Sequence, residues 1–261
     1  MSNLALLALE YESLRRAFVR YLRENVKEGD VVVVGSFPPN TTHLHSEIKR
    51  RGAVAVYWLQ DYYPEYCAAA LPYPHWMRRR LVREWDVTLR KWDYVVKGAA
   101  NLGYDSPNTR VIRNWPTMEF KNPRPAVPKT ALYAGNLGYA HSVPHLLKAC
   151  SELRDQGYRI QFYADGKGVS QLPSWIEKNP CPTSEDDLER IMLDAEIHLV
   201  AADPRFQHSL FPSKLWNALA AGRRVVATGF EGAMHDELQI ALTEDFHEFV
   251  PTWVRFIRSL I

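Results

Sequence analysis

Short apolar runs, several of them β-branched, recur along this chain, and most are followed by a loop and then by a stretch of helical periodicity. VVVVGS, AVAVYWLQ, YVVKGAA, TRVIRNW, TALYAG, YRIQFY, EIHLVAA and VVAT are the runs in order. Apolar runs of this length suit strands covered on both faces. Strands separated by helix-length crossovers return to the same end of a sheet and so pair in parallel. The expectation is an α/β protein with parallel sheets and helices on both faces.

The chain has 261 residues, of which 46% are hydrophobic and 24% charged, so it is globular and holds one large domain or two small ones. Net charge is +2 but uneven: residues 1–126 carry 19 Lys/Arg against 13 Asp/Glu, and the rest carry 13 against 17. A basic front half suits an anionic membrane face or anionic substrate, or is simply a solvated surface. Cys67, Cys150 and Cys181 are too widely spaced for a disulfide framework or a zinc site, which favours a reducing cytoplasm. No run reaches the roughly 18 apolar residues of a membrane span. LALLAL near the start lacks a basic leader and runs into Glu10 and Glu12, so it does not read as a signal peptide. The basic residues join no nucleic-acid recognition motif, so nucleic acid is not an expected partner.

Residues 3–25 read as one amphipathic helix, with Leu7, Tyr11, Leu14, Phe18 and Leu22 on its apolar face. VVVVGS then opens into FPPNTTHLH, and AVAVYWLQ ends at Asp61 and the DYYPE cluster. In open α/β sheets ligands lie beyond the carboxyl ends of strands, which places that loop and Asp61 well. His43 and His45 share the loop and are either functional or ordinary surface and packing residues. Residues 75–92 form a helix rich in Trp and Arg. It suits peripheral attachment to an anionic membrane, or it is a surface helix whose Trp85 and Trp92 pack on the sheet. Pro116, Pro123, Pro125 and Pro128 mark a semi-rigid linker. The expected division is 1–125, 126–245, and a C-terminal helix over 246–261 packing back on the first domain.

In the second half, three loops follow parallel strands: Gly135-Asn136-Leu137-Gly138, Asp165-Gly166-Lys167, and residues 211–214. Gly135 and Gly138 allow close backbone approach to a ligand. In FPSKLWNALAAGRRVVAT, Pro212 and Ser213 start a helix, Leu215, Trp216, Leu219 and Ala220 face inward, and Gly222 ends it. Val225 to Ala227 then reads as a strand covered on both faces. A helix start carrying Ser213 and Lys214 suits phosphate; the plain alternative is an ordinary αβ unit with a solvated lysine. Together the loops suggest a nucleotide diphosphate, neutralised by Lys214, helix ends and His141. Neither GxGxxG nor GK[ST] is present, and no residue cluster has metal-ligand spacing.

YAGNLGYAH resembles the donor-domain glycine loop of family 4 glycosyltransferases, the retaining GT-B enzymes, in the branch that builds bacterial surface polysaccharides. FPSKLWNALAAGRRVVAT is similar to that branch's PSK-x-x-E-x-LA-x-G-x-PV-x-A segment, and DGK to its GDGP turn. SFPP, QDYYPE and VIRNW resemble its SSPP, D-L-[YW]-P-E and IPNW segments, in the family's order. The resemblance implies two Rossmann-like domains facing a cleft. It also implies transfer of a sugar, with retention and without metal or other cofactor, from a nucleotide sugar, usually UDP-linked, to a saccharide or lipid-linked acceptor.

By that resemblance, Gly135, Asn136, Leu137, Gly138, His141, Asp165, Gly166, Lys167, Phe211, Ser213, Lys214, Leu215 and Asn217 surround the donor. Lys214 and Asp61 are the catalytic candidates, and Asp61 faces the donor sugar and acceptor hydroxyl. Ser36, Asn40, His43, His45 and Tyr62 are the acceptor-side candidates. Two departures stand out. Ser209 and Asn217 occupy the positions of two family glutamates, and Asn217 could still bond a ribose hydroxyl. The acceptor domain is also shortened, so a partner chain could complete it. The alternatives are a degenerate homologue acting as a nucleotide-binding or partner subunit, and a nucleotide-sugar epimerase or hydrolase. The expected location is the cytoplasm, with peripheral membrane contact.

Overall fold

The structure, a computed structural model, describes residues 2–71, 73–243 and 245–261, with the side chains of 2–5, 7, 8 and 246 outside that description. Leu7, expected on the buried face of the first helix, is one of those side chains. The chain divides into two compact units. Unit 1 comprises Met1–Arg113, His208–Leu210 and His247–Ile261; unit 2 comprises Asn114–Gln207 and Phe211–Phe246.

Unit 1 begins with helix α1 (Ser2–Asn25) and strand β1 (Val31–Gly35). A short 3-10 turn (Pro39–Leu44) leads to α2 (His45–Arg50) and β2 (Val54–Leu59). α3 (Tyr63–Ala70), α4 (His75–Leu89), β3 (Tyr94–Lys97) and β4 (Thr109–Val111) follow. The four strands are parallel, in the order β1-β2-β3-β4. Along β2 the side chains alternate: Ala55, Tyr57 and Leu59 join Leu22, Ile48, Leu89 and Trp92 in one core. Trp58, on the opposite face, meets Trp253 of the last helix, 5.4 Å between ring centroids.

Two sequence expectations change in unit 1. α1 has the expected length, but only Leu22 of its described apolar positions is buried; Leu14 is 44% and Phe18 39% exposed. The aromatic stretch after Asp61 forms α3, with Pro64 in its first turn, where a missing N–H costs nothing. On α4, Trp85 packs against Tyr62 and Tyr63, and Trp92 just beyond it packs on Tyr57, while Trp76 stays on the surface.

Unit 2 runs β5 (Val127–Ala134), α5 (Val143–Asp155), β6 (Arg159–Tyr163), β7 (Glu177–Asn179), α6 (Glu185–Asp194), β8 (Ala195–Ala201), α7 (Lys214–Ala220), β9 (Arg224–Thr228) and α8 (Gly232–Thr243). Its sheet is parallel, in the order β7-β6-β5-β8-β9. Alternation along β5 sets the layers. Ala131 and Tyr133 face Leu146, Cys150 and Leu153 of α5, whereas Leu132 faces Ile191 and Met192 of α6. α6 starts where Ser184 Oγ accepts the Asp187 N–H at 3.2 Å, with three acids in its first turn.

The change of unit falls at Arg113/Asn114, before the expected boundary at 125. The proline-bearing segment is tied into unit 2 by two side chains. Asn217 Oδ1 accepts the N–H groups of Thr117 (2.8 Å) and Met118 (3.3 Å). Glu189 Oε1 accepts those of Lys121 (2.6 Å) and Asn122 (2.7 Å). β9 also differs from expectation, because it is an edge strand and its four apolar and threonine positions are only half-buried. The closing helix α9 (Phe249–Arg258) belongs to unit 1, where Trp253 meets Trp58 and Phe256 meets Tyr94 at 5.4 Å.

Candidate functional site

In unit 2 the strand order reverses direction between β5 and β8, so the loops that leave their carboxyl ends diverge. Such a switch point leaves a crevice with backbone groups on both sides. The loop after β5 starts at Gly135, with φ +106°, a conformation that disfavours any side chain. A Cβ there would also lie 3.1 Å from Cε of Lys214, which arrives after β8. Glycine therefore makes room for the lysine.

Lys214 Nζ donates to Tyr133 Oη and to the Asn136 carbonyl, both at 2.6 Å. Tyr133 Oη donates in turn to the Asn136 carbonyl at 3.0 Å. No carboxylate lies within ion-pair distance of Lys214 among the described residues, and burial pushes its pKa down to about 7. An ammonium held out of water with neutral partners only is poised to receive an anion. Ser213, beside it, is exposed, and its hydroxyl caps nothing.

The glycine loop is laced to its neighbour. Leu137 N–H donates to the Asp165 carbonyl (2.7 Å), and Gly168 N–H donates to the Leu137 carbonyl (2.9 Å). Gly135 N–H is spent on the Tyr163 carbonyl (2.8 Å). That leaves Asn136 and Gly138 as the loop amides without a partner among the described residues. Gly166, with φ +103°, serves this lacing: a Cβ there would meet Asn136 Oδ1 at 2.3 Å. Lys167 Nζ bonds Tyr139 Oη and lies 4.7 Å from that ring's centroid. Burial, with the Asp165 carboxylate nearby, pushes the Cys181 thiol up in pKa.

Several expected contacts are corrected by burial. Leu137 and Leu215 are fully buried and Phe211 packs on Trp216 and Phe230, so these three shape the core and offer no side chain to a ligand. His141 is no cation. Its Nδ1 bonds the Ala201 carbonyl at 2.8 Å, and burial, with Lys214 nearby, drives its pKa down to about 4. Asn217 has its Oδ1 engaged by the 117–118 backbone, and Nδ2 donates to Thr117 Oγ1 at 3.1 Å. One amide hydrogen is left for any other partner. A cavity of about 200 Å³ beside Gly135, Lys214 and Asn217 runs between α6 and α7, lined also by Met192, His198 and Ala218.

In unit 1, Asp61 follows β2. Its N–H donates to Ser36 Oγ (3.1 Å), while its carboxylate makes no hydrogen bond among the described residues. Burial raises its pKa to about 6. Ser36 is buried and also accepts the Gln60 N–H, so it staples two strand ends and is not open to an acceptor. Asn40 Nδ2 donates to the Tyr11 carbonyl on α1. Tyr62 is buried and donates to Asp86 Oδ1 at 2.7 Å. His45 bonds the Thr42 carbonyl, whereas His43 is exposed. Ser209 is buried, and its carbonyl accepts the Tyr62 N–H. Of the acceptor-side candidates, His43 alone keeps a side chain both exposed and unbonded among the described residues.

Sequence reasoning missed Tyr133, which bonds Lys214 Nζ. Tyr133 had one usable signal: it lies two residues before Gly135 and so shares its face of the strand.

Among known proteins, the chain is 27% identical over 107 residues to a protein of Escherichia coli (strain K12), WcaI, provisionally named a colanic acid biosynthesis glycosyl transferase. The match covers 38% of this chain and 26% of that one. No family model matches. A TarM variant from S. aureus, in complex with Fondaparinux, alpha-GlcNAc-glycerol and UDP, superimposes with TM-score 0.58 at 12% identity over 92% of this chain. The fold is that of the GT-B glycosyltransferases. A trehalose-6-phosphate synthase structure matches at TM-score 0.57 and 13% identity, covering 96% of this chain and 74% of that one. The UDP-forming alpha,alpha-trehalose-phosphate synthase of Burkholderia vietnamiensis matches at TM-score 0.52 and 11% identity, over 95% and 77%. This chain spans about a quarter of WcaI and 58% of the TarM chain.

Proposed function

We propose that the chain is a glycosyltransferase that binds a nucleotide sugar, UDP-linked by preference, at the Lys214 crevice and transfers its sugar with retention to a saccharide or lipid-linked acceptor. The observation that carries this reading is Lys214: a half-buried ammonium, stripped of carboxylate partners, beside a glycine loop with two free amides. Leaving-group charge builds on the β-phosphate during transfer. A fixed cation and backbone donors already in place stabilise it without reorganisation, and this electrostatic term is commonly the largest in catalysis. Ser213 adds a hydroxyl, and no metal is invoked. The GT-B fold and the likeness to WcaI support the reading.

On the acceptor side we assign Asp61. Above pH 6 its carboxylate is ionised and free to orient or deprotonate an acceptor hydroxyl. The exposed arginines of α4, Arg79 and Arg83, with Trp76 on the surface, support peripheral contact with an anionic membrane at the cytoplasmic face. No helix among the described residues is long and apolar enough to cross a membrane.

Calorimetric titration with UDP, GDP, ADP and their sugars tests the donor site. Binding of UDP that Lys214→Ala weakens roughly 50-fold, the order of a lost charged hydrogen bond, is the expected outcome; no binding to any nucleotide refutes it. A second reading, a nucleotide-binding homologue without transferase activity, is favoured by one observation. The amide of Asn217 already holds the 117–118 backbone, where the family has a ribose-gripping glutamate. Tight UDP binding with no sugar release on long incubation would select it.

A further inference from the structure

A groove of about 650 Å³ runs along α4 where α3 packs beside it, lined on α4 by His75, Arg78, Arg79, Arg83 and Arg90 and on α3 by Glu65. The two carboxylates in its lining are already engaged. Glu65 accepts from Arg78 Nε at 3.0 Å and from Nη2 of the same side chain. Asp86 Oδ1 accepts the Tyr62 hydroxyl at 2.7 Å. The side chains of Arg79, Arg83 and Arg90 make no hydrogen bond or ion pair among the described residues. Four arginines against two carboxylates leave the groove positive.

The place of this charge on the helix is unfavourable in itself. Aligned peptide dipoles make a helix start positive, so acids are stabilising there and bases are not. α4 nonetheless opens with His75, Arg78, Arg79 and Arg80 and carries no acid in its first two turns. Pro74, at the N-cap, brings no side-chain hydrogen bond to the first-turn amides. Like charges gathered at that end repel one another until an anion joins them. Arg79 and Arg83 lie one turn apart, about 6 Å along the axis, so both guanidiniums can close on one phosphate. Each presents a planar fork of donors that matches phosphate oxygens in pairs. Trp76 and Val87 share that face, three residues before Arg79 and four after Arg83, and are 63% and 48% exposed. A soluble anion makes no use of such an apolar rim. A lipid does, because its chains and the membrane interface cover the rim while its phosphate enters the groove.

We propose that this groove binds the terminal phosphate of a membrane lipid, gripped by Arg79 and Arg83, with Arg90 adding to the positive field. A phosphate monoester or terminal diphosphate suits it better than a diester. The monoester carries nearly two charges at neutral pH and three oxygens open to the two forks; a diester has a single charge and two free oxygens. The inference rests on the peripheral membrane contact proposed for α4, and narrows it from diffuse charge attraction to one chemical group. It asks nothing of the donor site at Lys214.

The test is co-sedimentation of the full chain, without nucleotide, with phosphatidylcholine vesicles that carry either phosphatidic acid or phosphatidylglycerol at matched surface charge. The expected result is roughly fivefold tighter binding to phosphatidic acid, the effect of about one further charge met by arginine. Arg79→Gln and Arg83→Gln, which break no bond of the fold, each lower that binding about tenfold, the order of one charge-assisted hydrogen bond, and remove the preference. Arg80→Gln, outside the groove and paired with Glu84, loses the same charge and keeps the preference. Calorimetry with inorganic pyrophosphate separates a lipid phosphate from a soluble one. Vesicle binding far tighter than pyrophosphate binding supports the lipid; pyrophosphate bound as tightly as the vesicles overturns it. Equal binding to the two kinds of vesicle overturns the site and leaves the peripheral contact standing, whereas no binding to either overturns both. None of these outcomes bears on the UDP titration.

Discussion

Lys214 carries the sharpest pH expectation. Its pKa near 7 means that the free site loses its cation as pH rises through neutrality. A bound diphosphate restores the ordinary lysine pKa, so above pH 7 binding must take up a proton. Affinity for UDP should then fall about tenfold per pH unit between about pH 7.5 and 9, the limit for one linked proton. Titrations in buffers of different ionisation heat measure the uptake directly, and Lys214→Ala removes it. Asp61 behaves in the opposite sense. Its raised pKa, about 6, keeps it neutral in acid, so turnover should rise as pH climbs through 6. Asp61→Asn should lower kcat/KM roughly 100-fold, as for loss of a general base, with donor affinity intact. Unchanged turnover removes Asp61 from the reaction. The type and position of both residues were legible in the sequence, since each follows a strand. Their chemistry was not, because a pKa is set by burial and by absent partners that come from other elements. The role given to His141 failed for that reason: the Ala201 carbonyl that fixes its neutral tautomer lies 60 positions away.

At the level of elements, the strands were readable because each long one is a short apolar run with turn signals on both sides. β7 was not, because its three residues, Glu177–Asn179, are all polar and carry no alternation. α1 shows the converse failure, in which helical periodicity was right but did not say which surface receives the apolar face. The 114–122 segment is a third case. Proline content suggested a semi-rigid linker between domains, whereas Asn217 and Glu189 bind its backbone as part of unit 2. Asn217→Ala leaves the Thr117 and Met118 N–H groups without their acceptor and should cost about 1–2 kcal/mol. Faster hydrogen exchange confined to residues 117–118 would identify that cause, and exchange unchanged there would refute it.

Across the whole molecule, α/β class and parallel pairing followed from the alternation of strands and helices. The order β7-β6-β5-β8-β9 did not, because which neighbour a strand takes is decided by packing between distant segments. Yet that order creates the switch point where Gly135 and Lys214 meet. The return of the chain to unit 1 is the other feature of this scale. Trp253 is buried on Trp58, so Trp253→Ala opens a large hole in unit 1. It should cost about 3 kcal/mol, read as a lowered midpoint in denaturant titration; an unmoved midpoint would show that α9 adds nothing to unit 1.

That return also sets a schedule for synthesis. A ribosome releases the first 113 residues long before α9 exists, so the β2 face that carries Trp58 has no cover while unit 2 is being made. Unit 2, whose two segments end at Phe246, has all of its own strands and helices before α9 has emerged. The nascent chain therefore finishes its second unit first and its first unit last. During that interval the tryptophan face of the waiting sheet lacks the helix that covers it in the finished fold.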